Sequence, residues 1–124
     1  MTLKERDKKH IWHPLTQHKL HPEAIAITKA NNCILTDENG NEYIDAIASW
    51  YTCMYGHCNP YITSKVTQQM QQLDQVVFSG FTHEPAVELS EKLMAILPEN
   101  QQKIFFSDNG SSSVEIGIKL ALQY

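Results

Sequence analysis

The chain has 124 residues, of which 42% are hydrophobic and 19% charged, and its formal net charge is -4 with a pI near 5.8. This composition is typical of a soluble globular protein, and the scattered Lys and Arg residues argue against a nucleic-acid-binding surface. The sequence contains no run of about 18 apolar residues, and its polar N-terminus lacks the apolar core of a signal peptide, so we expect a cytoplasmic protein.

The three cysteines are Cys33, Cys53 and Cys58. Their odd number does not suggest a disulfide framework and fits a reducing compartment. Cys53 and Cys58 flank His57, but this spacing is not a familiar zinc motif and no second cysteine pair follows. We therefore expect no metal site, and we expect the thiols to be packed in the interior.

The N-terminal segment up to Glu23 has no sustained hydrophobic periodicity and predicts a short helix followed by an irregular arm. Short β-type runs come next, over residues 24–28, 33–36 and 42–45. Asn39-Gly40, between the last two runs, predicts a hairpin with a type I′ turn, in which both central residues have positive φ. We therefore expect a small antiparallel sheet.

Two amphipathic helices are predicted after this sheet. Asn59-Pro60 is typical of an N-cap followed by proline at the first helical position. Glu84-Pro85 begins the second helix, which Pro98 is expected to end. The apolar stripes are Ile62, Val66, Met70 and Leu73 on the first helix, and Ala86, Leu89, Leu93 and Ile96 on the second.

The last part of the chain predicts a strand and then a less certain element. Residues 103–106 are short and apolar, as a buried strand would be. Residues 114–122 alternate between apolar and other side chains, which favours a strand. A capping box from Ser112 to Glu115 and an i,i+4 pair of Glu115 with Lys119 favour a helix instead, with Ser112 as its cap. Taken together, these signals favour a helix slightly over a strand.

Between these two elements lies the polar sequence 107–113. If it joins a strand to a helix start, its free backbone N–H groups and hydroxyls form an anion-binding site. Phosphate is the anion that we expect there. A capped helix start without any ligand is the alternative. Because one strand is not a sheet, we expect most of this α/β architecture to lie beyond Tyr124.

Several short motifs together carry a family resemblance. They are His10-Ile11-Trp12-His13-Pro14, Ser49-Trp50-Tyr51, Gly56-His57-x-Asn59-Pro60, Gly80-x-Thr82-His83-x-Pro85-Ala86, Asp108-x-Gly110-Ser111 and Lys119-x-Ala121-Leu122-Gln123-Tyr124. Through these residues the chain resembles the class III pyridoxal-phosphate-dependent aminotransferases. Among them it is similar to the enzymes that convert 8-amino-7-oxononanoate to 7,8-diaminononanoate in biotin biosynthesis. The resemblance covers almost the whole chain.

The resemblance implies the N-terminal portion of a fold-type I pyridoxal-phosphate-dependent transferase, an α/β protein. Residues 1–55 would be an arm and a small antiparallel β unit contributing to the small domain. Residues 56–124 would begin the large pyridoxal-phosphate-binding domain, with helices and its first strand. A homodimer is implied as well, with 8-amino-7-oxononanoate and an amino donor as substrates. The donor stays open between S-adenosylmethionine and lysine, because Leu15 stands where relatives carry tyrosine.

The resemblance also implies site residues. Gly110 and Ser111 match the pair that binds the cofactor phosphate, where glycine permits close backbone approach and serine donates a hydrogen bond. Trp50 and Tyr51 match the wall of the substrate pocket. The lysine that forms the Schiff base is expected beyond Tyr124, so we assign no catalytic residue to this piece and expect it to be inactive alone.

Two alternatives compete with this interpretation. One is a class III aminotransferase acting on ω-amino acids, and the other is a non-catalytic interaction or dimerisation module. The module hypothesis predicts that the chain alone unfolds cooperatively.

His57 and His83 are interpreted as turn and helix-entry residues, because the family's Schiff-base lysine carries the proton.

Overall fold

The computed structural model describes residues 1–20 and 23–124. It forms two compact units, Met1–Asp74 and Gln75–Tyr124. The first unit contains α1 (Leu3–His10), β1 (Ile27–Asn31), β2 (Ile34–Asp37), β3 (Glu42–Ile44), α2 (Ala48–Tyr51) and α3 (Pro60–Gln72), and the second contains α4 (Glu84–Met94) and α5 (Gly110–Gln123). Within the described residues, no helix is long and apolar enough to cross a membrane. The division at residues 55 and 56 concerns domains of a larger enzyme and stays a prediction.

The N-terminal helix α1 begins with a reciprocal capping box. The Thr2 hydroxyl accepts the Glu5 N–H, and the Glu5 carboxylate accepts the Thr2 N–H at 2.8 Å. Residues 11–20 form neither helix nor strand, which confirms the irregular arm over that range. The last part of the predicted arm, residues 21 and 22, lies outside the described residues.

The predicted antiparallel sheet is confirmed, with strand order β1-β2-β3. Ile34 pairs with Ile44 and Leu35 with Tyr43, so the apolar side chains of the second hairpin lie opposite one another. The first strand begins at Ile27, later than predicted. The Ile27 N–H donates to the carbonyl of Ile25 at 3.1 Å, so the chain bends just before β1, and within the described residues the Ala26 carbonyl accepts only the Glu38 N–H at 2.9 Å.

The hairpin between β2 and β3 is confirmed, but its turn type is not. Gly40 has positive φ (86°) whereas Asn39 does not, so the turn is not type I′. The Gly40 N–H donates to the Asp37 carbonyl and the Asp37 N–H to the Asn41 carbonyl, which is the three-residue loop with glycine in the left-handed conformation. The buried Asp37 carboxylate selects this loop by accepting the N–H groups of Asn39 and Asn41.

The short element α2 is a single left-handed helical turn. Its four residues Ala48, Ser49, Trp50 and Tyr51 have φ of 48°, 46°, 61° and 67°. The Tyr51 N–H donates to the Ile47 carbonyl at 2.9 Å, which closes the turn. A left-handed turn of L-residues costs about 1–2 kcal/mol per residue relative to a right-handed one. It therefore needs stabilising interactions from its surroundings.

Close backbone approach joins the sheet to the loop that follows α2. The His57 N–H donates to the Asn32 carbonyl at 2.7 Å, and the Asn32 N–H donates back to the His57 carbonyl at 3.0 Å. Gly56 has φ of 86°, and a Cβ there would lie 3.1 Å from the Cα of Asn32. Glycine is required at this position both by its conformation and by the space available.

The predicted starts of the two middle helices are confirmed. Asn59 caps α3 by accepting the N–H groups of Tyr61 and Ile62, and Pro60 is the first helical residue. His83 precedes α4 as its N-cap residue, without a side-chain cap bond. The regular part of α4 ends at Met94, and turn hydrogen bonds continue to Leu97, next to Pro98.

The predicted strand at residues 103–106 does not form, because a strand needs a hydrogen-bonded neighbour and this segment has none within the described residues. The segment instead packs by its side chains. The ring of Phe106 meets Phe78 edge to face at 5.9 Å, and Phe78 also contacts His83 at 5.5 Å. With α4 these residues line an apolar groove of about 610 Å³.

The final element, α5, is a helix, which confirms the capping and ion-pair signals over the alternating pattern. The carboxylate of Glu115 lies 2.7 Å from the Lys119 ammonium, as the i,i+4 spacing predicts. The predicted cap is wrong. Asn109, not Ser112, is the N-cap residue, and its side-chain oxygen accepts the Ser112 N–H at 2.9 Å. Ser112 lies in the first helical turn.

Candidate functional site

The first candidate site is the N-terminus of α5, which Asn109 organises. Its side-chain oxygen accepts the Ser112 N–H, and its carbonyl accepts the Ser113 N–H at 3.0 Å. A helix leaves the N–H groups of its N-cap residue and of its first three residues without an intrahelical partner, here those of residues 109–112. The Asn109 side chain satisfies the N–H of Ser112, and the bond from Ser113 is the first regular helical bond. Within the described residues, the N–H groups of Gly110 and Ser111 donate to no protein acceptor.

The serine hydroxyls of this segment differ in their interactions with other protein groups. The Ser113 hydroxyl donates to the Asn109 carbonyl and also contacts the hydroxyl of Ser107. The Asp108 carboxylate accepts a bond from the Asn109 side-chain amide at 3.0 Å, and the Ser112 side chain is the largest influence that lowers the pKa of the Asp108 carboxyl. Ser111 is exposed, and its hydroxyl makes no hydrogen bond within the described part of the chain. It is therefore the hydroxyl of this helix turn that can bind a ligand without giving up a protein partner.

Gly110 leaves room for such a ligand. A Cβ built on this residue would meet no atom within 4 Å, so the space beside the first helical amide is open. Two backbone N–H groups and one hydroxyl, at the positive end of a 14-residue helix, suit the oxygens of a phosphate. The donor set therefore fits the phosphate group that the sequence predicts here.

Asp108 brings negative charge to the same helix start. The Ser112 hydroxyl, followed by backbone N–H groups and the Asn109 side chain, lowers the pKa of the Asp108 carboxyl below its ordinary value of 3.8. The carboxylate is ionised at neutral pH, and it interacts most strongly with the Ser112 side chain. A phosphate bound at Gly110 and Ser111 would therefore use donors other than that side chain.

The second candidate site is the left-handed turn α2. Trp50 and Tyr51 lie next to each other on this turn, and their side chains are 70% and 71% exposed. An isolated tryptophan is commonly a core residue, but Trp50 is not buried within the described chain. Two large aromatic surfaces face outward from a strained backbone.

A cluster of hydrogen bonds around Asp45 holds this turn. The Asp45 carboxylate accepts the Ser49 N–H at 2.6 Å and the Ser49 hydroxyl at 2.8 Å, and His57 Nε2 lies 2.7 Å from the same oxygen. The side chains of Asp45 and His57 are only 6% and 14% exposed. The bond from His57, followed by that from Ser49, lowers the pKa of the Asp45 carboxyl.

Sequence reasoning missed Asp45 because its partner His57 is distant along the chain. Its spacing from His57 belongs to no local motif, and the contact arises only after the chain has passed through α2. The prediction that His57 is a turn residue rather than a proton carrier is compatible with its position between the Asn32 backbone and Asp45. His83 is at the entry of α4, as predicted.

The two predicted pairs lie in different compact units. Trp50 and Tyr51 are in Met1–Asp74, and Gly110 and Ser111 are in Gln75–Tyr124. The structure thus brings together the members of each pair. Their roles in binding stay predictions.

Among the described residues, no group of three or more His, Cys, Asp or Glu side chains could hold a metal ion. All three cysteines are free thiols, and Cys33 and Cys58 are exposed, so the prediction of interior packing is wrong for these two. Cys58 is exposed because it lies in the tight loop after Gly56, where its own φ is 52°.

Comparison with known proteins gives concordant results. The family model for aminotransferase class-III matches residues 15–124. The adenosylmethionine-8-amino-7-oxononanoate aminotransferase of Staphylococcus aureus is 42% identical over 98% of this chain, which covers 27% of that relative. The chain therefore spans about a quarter of the length of the curated relatives it matches.

Solved structures agree with the family match. The omega transaminase of Pseudomonas jessenii, in complex with PMP, superposes with a TM-score of 0.87 at 30% identity, over 96% of this chain and 27% of that one. The adenosylmethionine-8-amino-7-oxononanoate aminotransferase of Methanocaldococcus jannaschii gives 0.86 at 33% identity, over 98% of this chain and 28% of that one. The small antiparallel sheet and following helices are the N-terminal portion of this fold. The chain belongs to the class-III aminotransferase family.

Proposed function

We propose that this chain is the N-terminal part of a pyridoxal-phosphate-dependent aminotransferase that converts 8-amino-7-oxononanoate to 7,8-diaminononanoate in biotin biosynthesis. The observation that carries the proposal is 42% identity, over 98% of the chain, to a relative named for this activity. The amino donor is S-adenosylmethionine or lysine. The complete enzyme is a cytoplasmic homodimer.

The chain contributes to two domains of that enzyme. Residues 1–55 form the arm and the small β unit of the small domain, and residues 56–124 begin the large cofactor-binding domain. The Schiff-base lysine comes from the part of the enzyme beyond this chain. The piece alone is therefore inactive in transamination.

The cofactor of class-III aminotransferases, pyridoxal phosphate, supplies an electron sink for amino-group transfer when it is bound. In this chain Gly110 and Ser111 hold its phosphate with two backbone N–H groups and the Ser111 hydroxyl. The open space beside Gly110 and the uncommitted Ser111 hydroxyl support this assignment. The helix dipole of α5 adds a favourable interaction with the phosphate charge.

Trp50 and Tyr51 bind the other reactant. A flat indole covers the aliphatic chain of the keto acid and excludes water from it, and the phenol of Tyr51 extends this wall. The exposure of both rings supports this role, because a side chain that is already packed in a core cannot contact a substrate.

The reaction is tested with the complete enzyme, pyridoxal phosphate and 8-amino-7-oxononanoate. We expect formation of 7,8-diaminononanoate, measured by mass spectrometry, with S-adenosylmethionine or lysine as donor. No turnover with any amino donor would refute the proposal. The solved-structure match to an omega transaminase favours a second candidate, a class-III enzyme for ω-amino acids, and turnover of ω-amino acids without turnover of 8-amino-7-oxononanoate would establish it.

The phosphate site is tested by comparing two serine variants. Ser111→Ala removes a hydrogen bond to a charged group, so we expect the dissociation constant for pyridoxal phosphate to rise about ten- to a hundredfold. Ser112→Ala is the matched control, because the Ser112 side chain interacts with the Asp108 carboxyl and is not assigned to the phosphate. Cofactor binding is measured by absorbance titration, and equal effects of the two substitutions would contradict the assignment.

A further inference from the structure

The orientation of the exposed aromatic rings on α2 is set by the backbone and not by packing. Trp50 and Tyr51 are both largely exposed, so core contacts do not fix the direction of their rings. Their Cα–Cβ directions follow from the left-handed φ of each residue. If the turn relaxed to the right-handed conformation that L-residues prefer, both rings would point elsewhere.

One side chain accounts for most of the bonds that oppose this relaxation. Asp45 accepts the Ser49 N–H at 2.6 Å, the Ser49 hydroxyl at 2.8 Å and the Ile47 N–H at 3.3 Å. These donors lie before and within the turn, so the carboxylate spans it. The Thr52 hydroxyl adds a bond to the Ser49 carbonyl at 2.8 Å at the end of the turn.

His57 in turn holds Asp45. An ionised carboxylate only accepts hydrogen bonds, so the 2.7 Å contact places a proton on His57 Nε2. The His57 backbone is fixed by its two bonds to Asn32, at the end of β1. The sheet, His57, Asp45 and the left-handed turn thus form a continuous hydrogen-bonded chain within the first unit. Both side chains are nearly buried, which makes these bonds stronger than they would be in water.

We propose that Asp45 and His57 are positioning residues for substrate binding, which lock α2 in its left-handed form and thereby aim Trp50 and Tyr51 at the keto-acid substrate. Neither residue touches the substrate in this account. The identity of the substrate rests on the proposed function. The lock, meaning the hold of Asp45 and His57 on the left-handed turn, rests on the hydrogen bonds and backbone angles. The two parts can therefore be tested separately.

The lock is tested by fluorine NMR of the complete enzyme labelled with fluorotryptophan. The Trp50 resonance is assigned by its loss in Trp50→Phe. In Asp45→Asn and His57→Ala we expect this resonance to shift and broaden, because the ring samples more than one orientation. His57→Gln retains an amide that can donate to Asp45, so we expect partial recovery of the wild-type resonance. An unchanged Trp50 resonance in folded Asp45→Asn and His57→Ala would overturn the proposal.

Asp7→Asn is the matched control. Asp7 also pairs with a histidine, with His13 Nε2 at 2.9 Å from its carboxylate, but this pair lies in the N-terminal arm. The same chemical change there should leave the Trp50 resonance as in the wild type. If Asp45→Asn fails to fold, Ser49→Ala replaces it, since this variant removes one donor to the carboxylate and keeps the backbone bond.

Kinetics then test the consequence for the substrate. We expect the KM for 8-amino-7-oxononanoate to rise about tenfold or more in Asp45→Asn, with kcat changed much less, because a misdirected wall weakens binding. A shifted Trp50 resonance with unchanged KM would overturn the positioning role. If the wild-type enzyme does not turn over this substrate, the proposed function fails, and the NMR result still decides whether the lock exists.

Discussion

At the scale of single residues, Asp37 shows how one side chain shapes a loop. It is 4% exposed, and its carboxylate accepts bonds from the Asn39 and Asn41 backbones, the Asn41 side chain and the Tyr43 hydroxyl. The Asn41 side-chain bond is the largest influence that lowers the pKa of this carboxyl below 3.8. The bond that the Tyr43 hydroxyl donates to Asp37 raises the pKa of Tyr43.

The lowered pKa of Asp37 predicts a pH dependence of stability. The unfolded chain binds this proton more tightly than the folded chain, so the stabilisation is present above the ordinary pKa of 3.8 and is lost as the pH falls through the lower, folded value. In Asp37→Asn we expect a smaller loss of unfolding free energy on acidification than in the wild type. Urea unfolding at a series of pH values measures how steeply the free energy of unfolding falls with pH in the wild type and in Asp37→Asn. Equal steepness in the two proteins would contradict the prediction.

Gly56 gives a second prediction at this scale. Gly56→Ala puts a Cβ 2.8 Å from the Asn32 Oδ1 and 3.1 Å from its Cα, at a φ of 86°. We expect a loss of about 2–4 kcal/mol in the free energy of unfolding, from conformational strain and from the clash together. Urea denaturation followed by circular dichroism measures it.

Gly40→Ala is the control for Gly56→Ala. Gly40 has the same φ of 86°, but a Cβ there meets nothing within 4 Å. This substitution should cost only the conformational part, about 1–2 kcal/mol. An equal cost at both positions would mean that the approach to Asn32 does not constrain the fold.

At the scale of elements, the N-cap residue Asn109 stabilises the start of α5. Asn109 satisfies the Ser112 and Ser113 N–H groups, and without it the helix start would lose its fixed position. We expect Asn109→Ala to lower the free energy of unfolding by about 0.5–2 kcal/mol, and Asn109→Ser, which keeps a capping oxygen, to lower it much less. Thermal unfolding by circular dichroism compares them, and equal losses would argue against a capping role.

At the scale of the whole molecule, little apolar surface is buried. The buried hydrophobic residues within the described chain are Ala26 and Ala86. In contrast, Val114, Ile118 and Leu122 form an exposed stripe along α5, with exposed fractions of 63%, 56% and 81%. Exposed contiguous apolar surface of this kind marks an interface with another segment or chain.

This stripe predicts association of the 124-residue chain when it is prepared alone. We expect sedimentation velocity to show oligomers that increase with protein concentration, and we expect Ile118→Gln to reduce them. Lys119→Gln, a polar change at the next position of the same helix, is the control. Monomeric behaviour at high concentration, with a cooperative unfolding transition, would instead support an independent interaction module.

Much of this architecture could be predicted from local sequence signals. Asn59-Pro60, Asn39-Gly40 and the Glu115–Lys119 pair each concern residues within a few positions of one another, and the hairpin and both helices formed where these signals stood. The predictions failed where the deciding partner lay elsewhere. Segment 103–106 has strand composition but no neighbouring strand among the described residues. The cap of α5 is a separate, local failure, because two side chains three residues apart could both cap and Asn109 is the one that accepts the Ser112 N–H.

The family, the antiparallel sheet and the main helices could be read from local signals, because motifs and periodicities are properties of neighbouring residues. The left-handed turn that carries Trp50 and Tyr51, and the hydrogen bonds of Asp45 that hold it, are visible only in the folded chain. A strained backbone persists only when contacts distant along the chain, such as the one from His57, stabilise it.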